Sequence, residues 1–209
     1  MKCLDLFSGT RSIADAFERQ GWETFTVELD KSHPNIDWYA DIMKITAEDI
    51  LSRFGHPDVV WASPPCEKFS VASIGKYWVK GSNEPATEES RAALALLEHT
   101  IKLIHDLNPT YYFIENPRGK MRKMDCMQDL PRYTVTYCQY GDRRMKPTDI
   151  WTNHPNPQFM KPCNNGDNCH EKAPRGTKQG TQGLKGAVER SRIPRMLCDH
   201  IARISKYAP

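Results

Sequence analysis

Short apolar runs alternate with helix-like repeats through the first 115 residues, and this order limits the folds open to the chain. Four runs are typical of buried strands: 2–7, 24–29, 58–62 and 110–115. Three segments between them carry apolar residues at helical spacing: 11–20, 46–53 and 88–107. The alternation predicts an α/β fold with a mostly parallel, doubly wound sheet. Functional residues are then expected at the carboxyl ends of the strands.

The rest of the chain is less regular. Two further strands and a closing helix are predicted, at 133–139, 148–152 and 194–206. Two segments, one containing Gly and Ser and one rich in Pro, Gly, Asn, Lys and Gln, are predicted to be loops: 67–87 and 153–186. A length of 209 residues suits one domain spanning the whole chain.

The charge is divided unevenly along the chain. Residues 1–117 hold 11 Lys and Arg against 18 Asp and Glu, whereas residues 118–209 hold 18 against 8. The formal total of +3 therefore averages a segment of −7 and a segment of +10. A basic C-terminal half is suited to phosphate contacts, although a block of charge can also be an ordinary solvated surface.

The seven cysteines are odd in number, and the sequence begins directly with a strand-like run. Both features predict free thiols and a cytoplasmic protein. No apolar run approaches the roughly 18 residues that a membrane helix needs, so no membrane association is expected.

Three motifs follow predicted strands. The turn Asp5–Thr10, with Glu28 ending the next strand, is typical of a nucleotide-type site, because carboxylates accept hydrogen bonds from ribose hydroxyls. Pro64, Pro65 and Cys66 place a thiol on stiffened backbone, and Glu115-Asn116-Pro117 offers a carboxyl group for proton donation. Each motif alone also has a structural explanation, such as an ordinary βα turn or a small buried thiol.

Together, in this order and spacing, the three motifs resemble those of the cytosine-5 DNA methyltransferase family. Asp5–Gly9 resembles the family's AdoMet loop, Cys66 with Phe69 and Ser70 its catalytic Pro-Cys motif, and Glu115-Asn116 its Glu-Asn motif. The resemblance covers roughly residues 3–152 and, weakly, the closing helix. It implies a Rossmann-like, AdoMet-dependent methyltransferase fold and methyl transfer to C5 of cytosine in a flipped DNA base.

The resemblance also implies residue roles. Cys66 would add to C6 of cytosine, Glu115 would neutralise the adduct, and Asn116 would order the loop beneath. The positions implied to contact S-adenosyl-L-methionine are Phe7, Ser8, Gly9, Thr10, Glu28, Leu29, Asp41, Ile42 and Pro64.

The chain departs from the family at its next motif, where a Gln is normally followed by two arginines. Lys146 stands at the first arginine and Thr148 at the second, so Lys146 or Arg144 would supply the positive charge. Thr10 also replaces a commoner Gly, and Pro117 an apolar residue.

The target-recognition domain of the family is reduced here to a loop region of about 153–190. It contains Cys163, Cys169 and His170, which would ligate zinc if Cys126, Cys138 or His154 supplied a fourth ligand. The spacing is not CxxC and favours a turn with free thiols. The strip 175–185 mixes Gly with Lys, Gln and Thr and suits phosphate and groove contacts.

A small, phage- or prophage-like DNA methyltransferase with relaxed sequence specificity is therefore expected, acting as an orphan or restriction-associated modifier, alone, as a homodimer or with a specificity partner. Two alternatives stay open: the same reaction on RNA such as tRNA, and an inactive nucleic-acid-binding relative. Transfer to an amino group is less favoured because that chemistry needs no thiol.

Overall fold

The computed structural model describes residues 1–172 and 186–206. Its seven strands form one mixed sheet in the order β3-β2-β1-β4-β5-β7-β6. The strands are β1 (Lys2–Leu6), β2 (Glu23–Glu28), β3 (Trp38–Tyr39), β4 (Val59–Ala62), β5 (Tyr111–Pro117), β6 (Arg132–Thr136) and β7 (Pro147–Thr152). Strands β1 to β5 pair in parallel, whereas β7 runs antiparallel to both β5 and β6. The expected α/β fold with a mostly parallel sheet is confirmed.

The four predicted helices are present with nearly the predicted bounds. They are α1 (Ser12–Arg19), α2 (Ala47–Arg53), α4 (Glu88–Leu107) and α6 (Arg195–Ile204). Thr46 caps α2 by accepting a hydrogen bond from the Asp49 amide while the Asp49 side chain accepts from the Thr46 amide. Among the described residues, no helix is long and apolar enough to cross a membrane.

Two short helices were not predicted. The helix α3 (Ile74–Tyr77) lies in the predicted loop 67–87. The helix α5 (Ala187–Ser191) follows the predicted loop 153–186 and covers the end of the region of about 153–190, which was also predicted to be a loop. The loop predictions were wrong at these points because a helix of four or five residues is too short to display a helical repeat.

The helices cover both faces of the sheet and enclose two apolar cores. One core lies under α2 and α4 and contains Leu4, Val60 and Leu97. The other lies under α1 and α6 and contains Phe17 and Leu197. Both faces of the parallel strands are therefore buried, which explains why these strands are continuous apolar runs instead of alternating ones.

The strand predicted at 133–139 ends earlier, at Thr136. Residues Tyr137–Tyr140 form a 3₁₀ turn, and Gly141 follows in the left-handed region with φ of 83°. Tyr137 packs in the core under α1 and α6, whereas Cys138 is buried beside Cys163.

A buried ion pair joins β7 to the segment that follows β5. Asp149 has no exposed surface and accepts hydrogen bonds from Arg122 Nε at 2.8 Å and Thr134 Oγ1 at 2.7 Å. Arg122 belongs to the 3₁₀ turn Lys120–Lys123, a few residues after Glu115 and Asn116. The pair therefore fixes the chain on both sides of the third sequence motif.

Replacing Arg122 with Met should lower the free energy of unfolding by roughly 3 kcal/mol, because it leaves the Asp149 carboxylate buried without its cationic partner. Urea unfolding followed by circular dichroism measures the change. The matched control is Arg91→Met, which removes an exposed pair with Glu88 and should cost at most about 0.5 kcal/mol. Equal losses in the two variants would contradict the importance of the buried pair.

Candidate active site

Parallel pairing brings the three sequence motifs to one edge of the sheet. Leu6 of β1 pairs with Ala62 of β4, and Ala62 pairs with Ile114 of β5. The residues that follow these three therefore lie side by side at this edge: Phe7, Ser63 and Glu115. The motifs were predicted to meet at strand ends, and the structure places them there.

The loop after β1 is held by a buried carboxyl group. Asp5 accepts hydrogen bonds from Ser8 Oγ at 2.7 Å and from the Ala14 amide at 3.3 Å, which ties the loop to α1. Burial raises the pKa of Asp5 to about 7. Phe7 and Gly9 both have positive φ, 61° and 49°, so the chain turns sharply at this edge.

Glu28 stands opposite this loop at the end of β2. One carboxylate oxygen accepts a hydrogen bond from the Gly9 amide at 2.9 Å, and the other accepts from the Leu29 amide at 2.8 Å and the Asp30 amide at 3.0 Å. The Leu29 side chain beside it is 65% exposed. An anchored carboxylate next to an exposed apolar side chain fits the ribose and adenine of a nucleoside ligand.

The other positions implied to contact the cofactor differ in what they can offer. Asp41 is half-buried and accepts a hydrogen bond from the Met43 amide at 3.0 Å. The Ile42 side chain packs in the core under α2 and α4, so a ligand would meet its backbone. Thr10 shares a hydrogen bond with Ser12, and the buried Pro64 presents its carbonyl oxygen to Asn116.

Cys66 and Glu115 lie in one electrostatic environment. Burial raises the pKa of the Cys66 thiol, and the negative charge of Glu115 raises it further. Burial also raises the pKa of Glu115, whose Oε1 accepts a hydrogen bond from Tyr137 Oη at 2.9 Å. Burial therefore shifts both groups toward their protonated forms.

Lys146 supplies the opposing charge at this site. Its proximity lowers the pKa of Cys66 and of Glu115, while burial lowers the pKa of Lys146 itself. Its ammonium lies 4.5 Å from the centre of the Tyr137 ring. The sequence offered Lys146 or Arg144 for this charge, and it is Lys146 whose charge acts on both Cys66 and Glu115.

Arg144 has more partners than Lys146, whose Nζ also donates to the Arg190 carbonyl, at 3.3 Å. Its guanidinium is buried and donates to Asp142 and to the carbonyl oxygens of Arg190 and Arg192, at 3.1 and 3.3 Å for these carbonyls. These bonds fasten the loop after β6 to the segment around α5. Between the two cations named from the sequence, Lys146 is therefore the one that the electrostatics of Cys66 and Glu115 favour.

The loop that carries Cys66 is supported from below by β5 and the residues after it. Asn116 Nδ2 donates to the Pro64 carbonyl at 2.8 Å, and the Lys120 amide donates to the Phe69 carbonyl at 2.7 Å. A Cβ added to Gly119 would lie 2.3 Å from the Phe69 carbonyl oxygen. Only glycine lets the backbone approach the loop this closely.

Tyr137 and Gly119 were not singled out from the sequence. Tyr137 lies in a segment predicted to be a strand, where an aromatic residue is ordinary. Gly119 follows the Glu-Asn motif by three residues, and a lone glycine near a strand end gives only a weak signal of close backbone approach.

The 163–170 segment brings potential metal ligands together. One ligand atom from each of four residues lies within 4.8 Å of the others: Cys138, Cys163, Cys169 and His170. Three residues were considered as the fourth ligand, and the structure selects Cys138. His154 is buried beside Tyr111, and Cys126 packs on the core under α2 and α4. The strip 175–185 lies outside the described residues.

The sequence matches the model of the family described as C-5 cytosine-specific DNA methylase over residues 1–130. The chain belongs to the C-5 cytosine-specific DNA methylase family. The matched range contains the Asp5–Gly9 loop, Cys66 and Glu115.

A viral relative of this methylase extends the match beyond that range. A probable DNA (cytosine-5)-methyltransferase of Frog virus 3 is 34% identical over 211 residues, covering 92% of this chain and 93% of the relative. The likeness therefore includes the C-terminal third, where the loop 153–172 lies.

Solved structures share the methylase fold at low identity. The Schizosaccharomyces pombe Dnmt2 methyltransferase superposes with a TM-score of 0.52 at 15% identity, covering 73% of this chain and 50% of that one. The Entamoeba histolytica methyltransferase EhMeth superposes with a TM-score of 0.53 at 13% identity, covering 73% of this chain and 52% of that one. The match spans about half the length of these two chains.

Replacing Gly119 with Ala should displace the Phe69 backbone and the methylase loop that carries Cys66. The overpacking should cost about 1–3 kcal/mol of stability, and the reactivity of Cys66 toward iodoacetamide should change. Mass spectrometry of the alkylated thiol measures this. Gly75→Ala is the matched control, because a Cβ there meets nothing within 4 Å. An unchanged Cys66 rate in a folded Gly119→Ala variant would contradict the close approach.

Replacing Lys146 with Met should move the pH dependence of Cys66 alkylation to higher pH. The thiolate is the reactive form, and removing the positive charge that lowers the Cys66 pKa raises that pKa. The rate at a fixed neutral pH should therefore fall. Lys146→Arg should restore much of the profile, and the exposed Lys76→Met should leave it unchanged. A shift to lower pH in Lys146→Met would contradict the assigned electrostatics.

Proposed function

We propose that this protein transfers a methyl group to C5 of cytosine in DNA through a covalent adduct between Cys66 and C6 of the base. The observation that carries the proposal is the joint placement of a thiol, a buried carboxyl group and a buried cation. Cys66, Glu115 and Lys146 perturb one another's pKa at adjacent strand ends. Transfer to an amino group would need no such nucleophile.

The first step is addition of the Cys66 thiolate to C6. The new S–C6 bond displaces the π electrons of the C5=C6 bond, which makes C5 nucleophilic and moves negative charge toward N3 of the base. Deprotonation of the thiol is helped by Lys146, whose positive charge opposes the burial and the Glu115 charge.

Glu115 stabilises the adduct by donating a proton toward N3. Burial raises the pKa of Glu115 and so favours the protonated carboxyl group, which is the form that donates a hydrogen bond. Tyr137 donates to Oε1 and so orients the carboxyl group. Asn116 holds the Pro64 carbonyl and thereby fixes the backbone just before Cys66.

S-adenosyl-L-methionine, when bound, supplies the electrophilic methyl group that C5 attacks and leaves as the neutral thioether. Glu28 would hold the ribose hydroxyls, Leu29 would pack on the adenine, and the loop Phe7–Thr10 would pass beneath the ligand. The half-buried Asp41 would meet the adenine edge together with the Ile42 backbone. The anchored Glu28 carboxylate and the exposed Leu29 side chain support this assignment.

Release of the product regenerates the nucleophile. After methylation C5 carries both the methyl group and its original proton. Solvent water accepts that proton, the C–H electron pair restores the C5=C6 bond as the S–C6 bond breaks, and Cys66 leaves as the thiolate. N3 returns its proton to Glu115. The same positive charge of Lys146 that favours the attacking thiolate favours its departure.

DNA is the proposed substrate because the basic half of the chain carries the phosphate-binding potential. Residues 118–209 have a formal charge of +10, and they include the exposed Arg143 three residues before Lys146. A cytosine in a duplex must leave the base stack to reach Cys66. Binding should weaken with salt, since released counterions drive such contacts.

Incubation with tritiated S-adenosyl-L-methionine and either duplex DNA or tRNA tests the substrate. Label in DNA is expected, and bisulfite sequencing should place it at cytosine. Label confined to tRNA would contradict the DNA assignment, and label in neither would favour a nucleic-acid-binding role without catalysis.

Cys66→Ser should abolish transfer while leaving S-adenosyl-L-methionine binding essentially unchanged, because a serine hydroxyl is too weak an acid to supply the anionic nucleophile at neutral pH. Calorimetric titration measures binding. The matched control Cys126→Ser alters a half-buried thiol outside the site and should retain transfer. Transfer that survives in Cys66→Ser would exclude the covalent mechanism.

A further inference from the structure

We propose that the protein carries one structural zinc ion, bound by a cluster of four residues that we name the zinc-ligand cluster: Cys138, Cys163, Cys169 and His170. The cluster takes no part in the proposed chemistry at Cys66. It lies where the loop 153–172 folds back on the 3₁₀ turn Tyr137–Tyr140.

The distances within the cluster are close to those of a tetrahedral zinc site. With Zn–S near 2.3 Å and Zn–N near 2.0–2.1 Å, tetrahedral angles put two sulfurs about 3.8 Å apart and a sulfur and nitrogen about 3.6 Å apart. Cys169 Sγ lies 3.6 Å from Cys138 Sγ, and His170 Nδ1 lies 3.6 Å from Cys163 Sγ and 3.5 Å from Cys169 Sγ. Cys138 and Cys163 are slightly closer, at 3.2 Å.

Convergence of these groups needs an explanation beyond chance burial. The four ligands come from two segments separated by 25 residues, yet their ligand atoms all lie within 4.8 Å. The other four cysteines, which the sequence makes equally available, lie elsewhere: Cys3, Cys66, Cys126 and Cys198. Three thiols and an imidazole facing one point gain little from contact with one another, whereas each is a good ligand for zinc.

The chemistry of the donors selects the metal and the kind of site. Thiolates and imidazole suit zinc and not magnesium or calcium, which take oxygen ligands. Four protein donors complete a tetrahedral shell and leave no position for water or substrate, which is typical of structural zinc. Cys138 and Cys163 are buried, while Cys169 is exposed and gives the ion access from solvent.

Neighbouring hydrogen bonds support the ligands. Gln139 Nε2 donates to Cys169 Sγ at 3.4 Å, and the Cys163 amide donates to Thr136 Oγ1 at 3.0 Å. The first bond stabilises the Cys169 thiolate directly, and the second fixes the backbone of Cys163. The ion would thus be held by ligands that the surrounding fold already positions.

The cluster fastens the C-terminal region close to the proposed active site. Cys138 follows Tyr137, whose hydroxyl donates to Glu115, and the Glu171 amide donates to the Arg143 carbonyl at 2.9 Å. Zinc would therefore fix the loop 153–172 against the turn Tyr137–Tyr140, beside Glu115. This consequence rests on the proposed function, but the presence of the metal does not.

Elemental analysis of the full chain, purified without metal-affinity steps from zinc-supplemented medium, tests the site. One zinc per chain is expected in the wild type, in Cys126→Ser and in the transfer-deficient Cys66→Ser. Cys163→Ser and His170→Ala should lose the metal. Zinc in Cys66→Ser would separate the fate of this proposal from that of the methyltransferase assignment.

Cobalt substitution supplies a readout that does not depend on activity. The Co²⁺ form should show sulfur-to-metal charge transfer and the intense visible bands of tetrahedral coordination. His170→Cys should keep these bands but shift them, because a fourth thiolate replaces the imidazole. Removal of zinc by a chelator should lower the melting temperature of the wild type and not that of Cys163→Ser.

Three results would overturn the proposal. The first is a wild type without bound zinc and without cobalt charge transfer. The second is a disulfide between Cys138 and Cys163 in protein alkylated under non-reducing conditions. The third is equal zinc content in wild type and Cys163→Ser, which would place the metal elsewhere.

Discussion

Parallel pairing of β1, β4 and β5 is the constraint on which the site depends. Because these strands run in the same direction and in matched register, the residues that follow Leu6, Ala62 and Ile114 emerge at one edge. The thiol, the carboxyl group and the nucleotide-type turn are therefore neighbours, although more than a hundred residues separate the first from the last. No loop has to reach across the molecule to assemble them.

The antiparallel strand β7 adds further contacts to the site that the parallel strands form. It pairs with β5 through Glu115 and Asn116, and it carries Asp149, which holds Arg122 on the far side of the same motif. Lys146 precedes β7 directly and so arrives beside Glu115. The acidic half of the chain thus contributes the thiol and carboxyl group, and the basic half contributes the cation that tunes them.

The charge division has a further structural meaning. The segment of −7 contains Glu28 and Asp41 at the proposed cofactor site, whereas the segment of +10 contains Lys146 and the strands β6 and β7. Part of the basic charge is internal, however. Arg122 and Arg144 are committed to Asp149 and Asp142, so they organise loops and are not free for phosphates.

Most of the fold was predictable because its signals are local. The apolar runs and the capped, periodic helices, such as Thr46 before α2 and the 20 residues of α4, follow from side-chain spacing alone. The motif residues Cys66, Glu115 and Glu28 were also identifiable, because their residue types and order resemble one family. The exceptions are short: β3 has two residues and α3 four, too few to show a period.

Tertiary structure alone decided which partners those residues have. Nothing local indicates that Tyr137 donates to Glu115, that Gly119 must lie against Phe69, or that Arg144 is bound by Asp142 while the charge of Lys146 lowers the pKa of Cys66. Nothing local selects Cys138 either, since the sequence offered it as one of three candidate fourth ligands beside Cys163, Cys169 and His170. The sequence by itself determined the elements and the reactive residue types, because these depend on spacing and chemistry along the chain. Contacts between distant segments were decided only when the sheet brought their backbones together.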